Sequence, residues 1–139
     1  MKTSKRGKEI CLYCQTFSPK MRHAHILKTS QDALIYLRHF ANKRQEHLIA
    51  LSLDSSRRLI KRRVITVGLL DTALAHPREI FSGAIEDRAA SVIIAHNHPS
   101  GEAAPSKEDI KMTQQIVAAG ILLGIPLRDH IIVLSLIHI

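Results

Sequence analysis

The chain has 139 residues, room for one ordinary domain. Hydrophobic residues make up 45%, enough for a core and too many for global disorder, whereas 4% aromatics and no Trp argue against a stacking platform for single strands. The formal charge is +8, no apolar run approaches the ~18 residues of a membrane span, and two cysteines are too few for a disulfide framework.

Residues 1–29 mix charge with Ser, Thr and Pro19 and keep no period of 2 or 3.6, which reads as a loosely ordered extension. Its basic start is followed by no apolar stretch of secretory type, so a soluble cytoplasmic domain without a membrane partner is expected. Cys11 and Cys14, with His23 and His25, contain zinc-binding residue types. However, only eight residues separate Cys14 from His23, short of finger spacing, and idle reduced thiols are the simpler expectation.

From Thr29 the pattern sharpens. Ser30 can cap a helix with Ala33, Leu34, Leu37 and Phe40 on one face, ending near Asn42. Glu46 to Asp54 reads as a strand, with Leu48 and Ala50 on one parity and Ile49, Leu51 and Leu53 on the other. Both faces are apolar, so the strand is central in its sheet. Turn residues at 54–57 lead into a second strand, Leu59 to Val67, completing an antiparallel hairpin closed by Gly68. A helical stretch starts at Asp71 or Thr72 and restarts at Pro77, with Ile80, Phe81, Ala84 and Ile85 as its buried stripe. Ser91 to Ala95 is a short apolar strand. After a polar loop, Ser106 to Gly124 is a long helix stopped before Pro126, and Leu127 onward is apolar and β-rich. This order predicts an α/β domain, a mixed sheet with helices packed on it.

Basic residues cluster at Lys2, Lys5, Arg6 and Lys8, and again at Arg57, Arg58, Lys61, Arg62 and Arg63. Such runs are usually solvated faces, and the competing reading is a footprint for nucleic acid.

The chemistry concentrates in His96-Asn97-His98, at the end of an apolar strand, and in Ser106 and Asp109, at the start of a helix. Alternate residues on extended chain point the same way, so His96 and His98 share a side. Two imidazoles and a carboxylate make three ligands, the usual complement of a catalytic zinc site with an open fourth position. A plainer account competes: Ser106 and Asp109 are spaced as a capping box, and loop histidines are usually solvated. His130, beside Asp129, can orient a ligand or simply join a surface ion pair.

His96-x-His98, seven residues, Ser106, two residues and Asp109 resemble the JAMM (JAB/MPN+) metalloprotease motif. The fuller string His96 to Gly101, with Pro105-Ser106 and Asp109, resembles its bacterial RadC branch. Further likeness lies in Gln45-Glu46-His47, Leu53-Asp54, His76 to Ile80 and Asp129 to Ile132, so the resemblance covers residues 30–133. It implies a JAB/MPN-type fold, similar to the cytidine-deaminase-like α/β/α sandwich. It further implies Zn2+ held by His96, His98 and Asp109, Glu46 as general acid/base, and Ser106 as oxyanion stabiliser. The implied activity is hydrolysis of a peptide or isopeptide-type amide in a protein or peptide substrate.

RadC-like chains usually carry a helix-hairpin-helix region where residues 1–29 stand here, so a nucleic-acid partner has only the basic surface to rest on. The reading that follows is a domain over residues 30–139, truncated after Val133, whose unpaired apolar edge would favour homo-oligomers. The alternative function is a DNA-repair-associated nucleic-acid-binding module with a structural metal. An HNH nuclease is discounted, because that name describes residues spread over a ββα-metal motif.

Overall fold

Leu48 and Ala50 point one way along the first strand and Ile49, Leu51 and Leu53 the other. In the computed structural model, which describes residues 26–68 and 76–134, all five are buried. A strand apolar on both sides must lie inside a sheet covered on each face. β1 (His47–Leu53) accordingly sits between β2 (Leu59–Val67) and β3 (Ser91–Asn97), with β4 (Leu127–Val133) beyond β3. β1 is antiparallel to both neighbours, whereas β3 and β4 are parallel, so β3 and β4 end on the same side as β1 begins.

Helices cover both faces. α1 (Ser30–Leu37) and the 3-10 turn Arg38–Phe40 pack Ala33, Leu37 and Phe40 on Ile49, Leu51, Ile93 and Ile131. On the other face, α2 (Pro77–Glu86) and α3 (Lys107–Leu123) pack Ile80, Phe81, Met112 and Ile116 on Leu48, Ala50, Val92 and Ile94. The expected α/β class, a mixed sheet flanked by helices, is what forms.

Several local expectations hold. The β1–β2 hairpin is antiparallel, and the Gly68 N–H closes it on the Glu46 carbonyl at 2.8 Å. α3 is capped by Ser106 and ends at Gly124, whose φ of 69° is the left-handed conformation a glycine adopts without strain.

Others are corrected. Thr29, not Ser30, caps α1: it forms a capping box with Asp32, while the Ser30 hydroxyl donates to Asp129 Oδ2 at 2.6 Å. Ile85 is 54% exposed and not part of the α2 stripe. The helix instead turns Gly83 toward β2, where a Cβ would stand 2.6 Å from Cδ of Arg63, and that rotation swings Ile85 outward. β3 does not stop at Ala95 but runs through Asn97, because β1 and β4 keep pairing with it up to His96 and Asn97.

The second basic run is not one solvated face. Arg62 is buried, donates from Nη1 to the Tyr36 carbonyl at 2.9 Å and lies over the Phe40 ring. Arg63 forms an ion pair with Asp87 at 2.7 Å. The start of a helix at Asp71 or Thr72, the Cys11/Cys14 and His23/His25 group, the N-terminal basic cluster and residues 135–139 lie outside the described residues. Among the described residues, no helix is long and apolar enough to cross a membrane.

Candidate metal centre

Strand parity aims the first ligand candidate. Val92, Ile94 and His96 alternate on the α2/α3 face of β3, so the His96 ring, fully buried, points at the start of α3. His98 lies just past the strand. Its backbone N–H reaches the Val133 carbonyl, and Gly101, at φ 80°, folds the loop back so that its N–H meets the His98 carbonyl at 3.0 Å. His98 Nδ1 is 2.7 Å from the Glu102 carbonyl. A carbonyl only accepts, so neutral His98 carries its proton on Nδ1 and leaves Nε2 bare.

Asp109 arrives from the first turn of α3 and is buried. The capping box exists: Asp109 N donates to Ser106 Oγ at 3.1 Å, and Ser106 N donates to Asp109 Oδ2 at 2.8 Å. The same Oδ2 lies 3.3 Å from Nε2 of His96 and 3.3 Å from Nε2 of His98. The cap and the convergence therefore coexist, and one carboxylate oxygen serves both.

The two Nε2 atoms are 2.7 Å apart. Among the described residues, His96, His98 and Asp109 are the group whose ligand atoms gather, all within 4.8 Å of one another. Zinc bonds to nitrogen and oxygen are about 2.0–2.1 Å, so tetrahedral ligands stand about 3.3–3.4 Å apart. Two edges of the observed triangle match that spacing and the third is shorter. A point about 2 Å from all three atoms exists just off their plane. The residues fit a zinc ion in number, type and spacing.

Burial shapes the electrostatics. Desolvation lowers the His96 pKa, with the Asp109 charge opposing and His98 adding to the lowering. Burial likewise pushes His130 down to about 4. For Asp109, burial acts upward, but the Ser106 N–H and the neighbouring histidines hold the carboxyl below its ordinary range. Both shifts favour a neutral His96 and an ionised Asp109 at pH 7.

Two cavities flank the triad and share Asp109 and Pro105. One, of about 510 Å³, is lined by His96, Thr113 and His130 with Ala103, Ile110 and Ile132. The other, of about 430 Å³, holds Glu46, Glu102 and Glu108 with His98, Ser100 and Ser106. Glu46 immediately precedes β1, and its segment is fixed by a residue to which the sequence reading gave no role. Asn97, fully buried, accepts from the His47 N–H at 2.7 Å and donates to the carbonyls of Gln45 and Lys43 at 3.0 and 3.3 Å.

Thr113 is the other residue missed. Its hydroxyl is 2.7 Å from the Asp109 carbonyl and 2.6 Å from His130 Nδ1, while His130 Nε2 is 2.7 Å from His96 Nδ1. The signal available in the sequence was the four-residue step from Asp109 to Thr113, one helical turn. Of the two readings for His130, the ring turns inward to His96. Asp129, on the opposite parity of β4, faces Ser30.

Residues 27–137 match the family described as the RadC-like JAB domain. The chain belongs to that family. As a RadC-like JAB domain it is similar to curated relatives named UPF0758 protein. That of Methanococcoides burtonii is 48% identical over 101 residues, covering 73% of this chain and 44% of the relative. That of Methanospirillum hungatei is 48% identical over 108 residues, covering 78% and 46%. A Clostridium perfringens relative is 38% identical over 132 residues, covering 92% and 58%. The chain thus spans about half the length of the relatives it matches. Its mixed sheet and three flanking helices are consistent with the JAB-type fold, and its His-His-Asp group is compatible with a metallohydrolase.

Proposed function

We propose that this RadC-like JAB domain is a zinc-dependent hydrolase acting on a peptide or isopeptide-type amide. The observation that carries the reading is the convergence of His96, His98 and Asp109 beside a cavity that also contains Glu46 and Ser106. Zinc, when bound, lowers the pKa of a water to about 7 and polarises a carbonyl.

The chain's own residues have the complementary tasks. Glu46 takes a proton from the attacking water and returns it to the leaving amine. Ser106 Oγ accepts from the Asp109 N–H, so its hydroxyl hydrogen is free to donate to the carbonyl oxygen as that oxygen gains charge. Asp109 stays ionised and in place because the Ser106 N–H holds it. On this reading the leaving amine lies on the Glu46 side, and the acyl group lies in the apolar cavity walled by Ile110 and Ile132.

The nucleic-acid reading has less support, since Arg62 and Arg63 are engaged within the fold. Steeply salt-dependent DNA binding would revive it. Zinc analysis of wild type, His96→Ala and Cys14→Ala tests the metal: one equivalent lost only in His96→Ala is expected. Wild-type protein that retains no zinc would end the hydrolase reading.

A further inference from the structure

We infer that Thr113 and His130 are positioning residues that set the tautomer of His96, presenting its Nε2 as a bare lone pair. The inference rests on the zinc-site reading above. It follows from counting donors along one chain of contacts that starts at a group able only to accept.

The Asp109 carbonyl cannot donate, so the Thr113 hydroxyl, 2.7 Å away, donates its single hydrogen there. That leaves Thr113 Oγ1 as an acceptor toward His130 Nδ1 at 2.6 Å, so His130 Nδ1 must carry a hydrogen. In its neutral form His130 then has a bare Nε2, which accepts from His96 Nδ1–H at 2.7 Å. With its proton on Nδ1, His96 offers a bare Nε2 2.7 Å from His98 Nε2 and 3.3 Å from Asp109 Oδ2, three acceptors that together require a cation, a proton or a metal ion, between them. The reverse arrangement would leave two oxygens, of Thr113 and Asp109, 2.7 Å apart with no hydrogen between them.

The elements explain why the chain closes. Asp109 and Thr113 are one turn apart on α3, and parallel pairing puts His130 opposite Ile94, two residues before His96 on the same face. Asp109 thus acts twice: its carboxylate faces the metal position, and its carbonyl anchors the protons that prepare His96. His98 receives the same preparation separately, from the Glu102 carbonyl.

The test combines nitrogen-15 NMR of the histidine rings with zinc affinity by chelator competition. In metal-free wild type, both His130 and His96 should be protonated on Nδ1. Thr113→Val, nearly isosteric, should mix the His96 tautomers and weaken zinc binding by about tenfold or more, and His130→Phe should do likewise. Thr113→Ser, which keeps the hydroxyl, should restore both readouts. A wild-type His130 protonated on Nε2, or a folded Thr113→Val with unchanged tautomers and affinity, overturns the relay. Nδ1 tautomers in a wild type that binds no zinc would support the relay and overturn the hydrolase reading, so the two fail separately.

Discussion

Ser106 and Asp109 hold each other twice, N–H to Oγ and N–H to Oδ2, and the second bond fixes the oxygen that also faces both histidines. Capping and catalysis can be separated experimentally at Ser106. Replacing an N-cap Ser by Gly costs only a few tenths of a kcal/mol. Ser106→Gly should therefore stay folded with near-normal thermal stability and zinc content. Amide hydrolysis should fall by about 10²–10³-fold, in kcat more than KM, as for a lost oxyanion donor. Unchanged kcat would restrict Ser106 to its cap.

Glu46→Gln keeps the size of the side chain and removes its ability to carry a proton. Hydrolysis should drop by about 10²–10⁴-fold while zinc stoichiometry and fold are unchanged. Full activity in this variant would remove Glu46 from the chemistry.

Asn97 ties the chain before β1 to the end of β3 with three hydrogen bonds from a fully buried side chain. Asn97→Ala strands the His47 N–H and two carbonyls, and should cost about 1–3 kcal/mol in denaturant unfolding. Because Glu46 sits on the freed segment, activity should fall further than zinc affinity does. Equal losses in both would mean that Asn97 supports the fold alone.

The metal-free protein should be acid-labile in a defined window. His130 titrates near 4 when folded against about 6.5 unfolded, so between those values the unfolded chain binds the extra proton. Stability is therefore intact above pH 6.5 and declines as pH falls toward 4, by about 3 kcal/mol for this one group. Burial of His96 acts in the same direction. Denaturant melts from pH 7 to 4.5 should show the decline, and His130→Phe should flatten it. A flat wild-type profile contradicts the buried neutral histidines.

Local order was legible in the sequence wherever a short pattern determined it. The double-sided apolar strand declared its central place, and Gly124 and Pro126 declared the end of α3. The His96, His98 and Asp109 spacing pointed to the cluster that forms. What failed depended on distant partners. Ser30 and Thr29 are both good caps; Thr29 takes the position in a capping box with Asp32, while the Ser30 hydroxyl is drawn to Asp129, far along the chain. Ile85 fits the helical stripe, yet the packing of Gly83 on Arg63 sets the rotation of α2. Arg62 reads as a surface charge until Tyr36 and Phe40 fold over it. The inward turn of His130 follows from the β3–β4 register, which no local period encodes.

The rim opposite the histidines is built from the Asp54–Arg58 turn and the connection through Arg88 to Ala90, whose N–H is pinned to the Leu53 carbonyl at 2.8 Å. A seven-residue strand, roughly 20 Å of extended chain, separates that rim from the His96, His98 and Asp109 cluster. A fluorophore or affinity handle spliced between Ser55 and Ser56 would ride on that rim, at the other end of the sheet from His96 and His98. It would leave the mouths of both cavities beside His96, His98 and Asp109 clear.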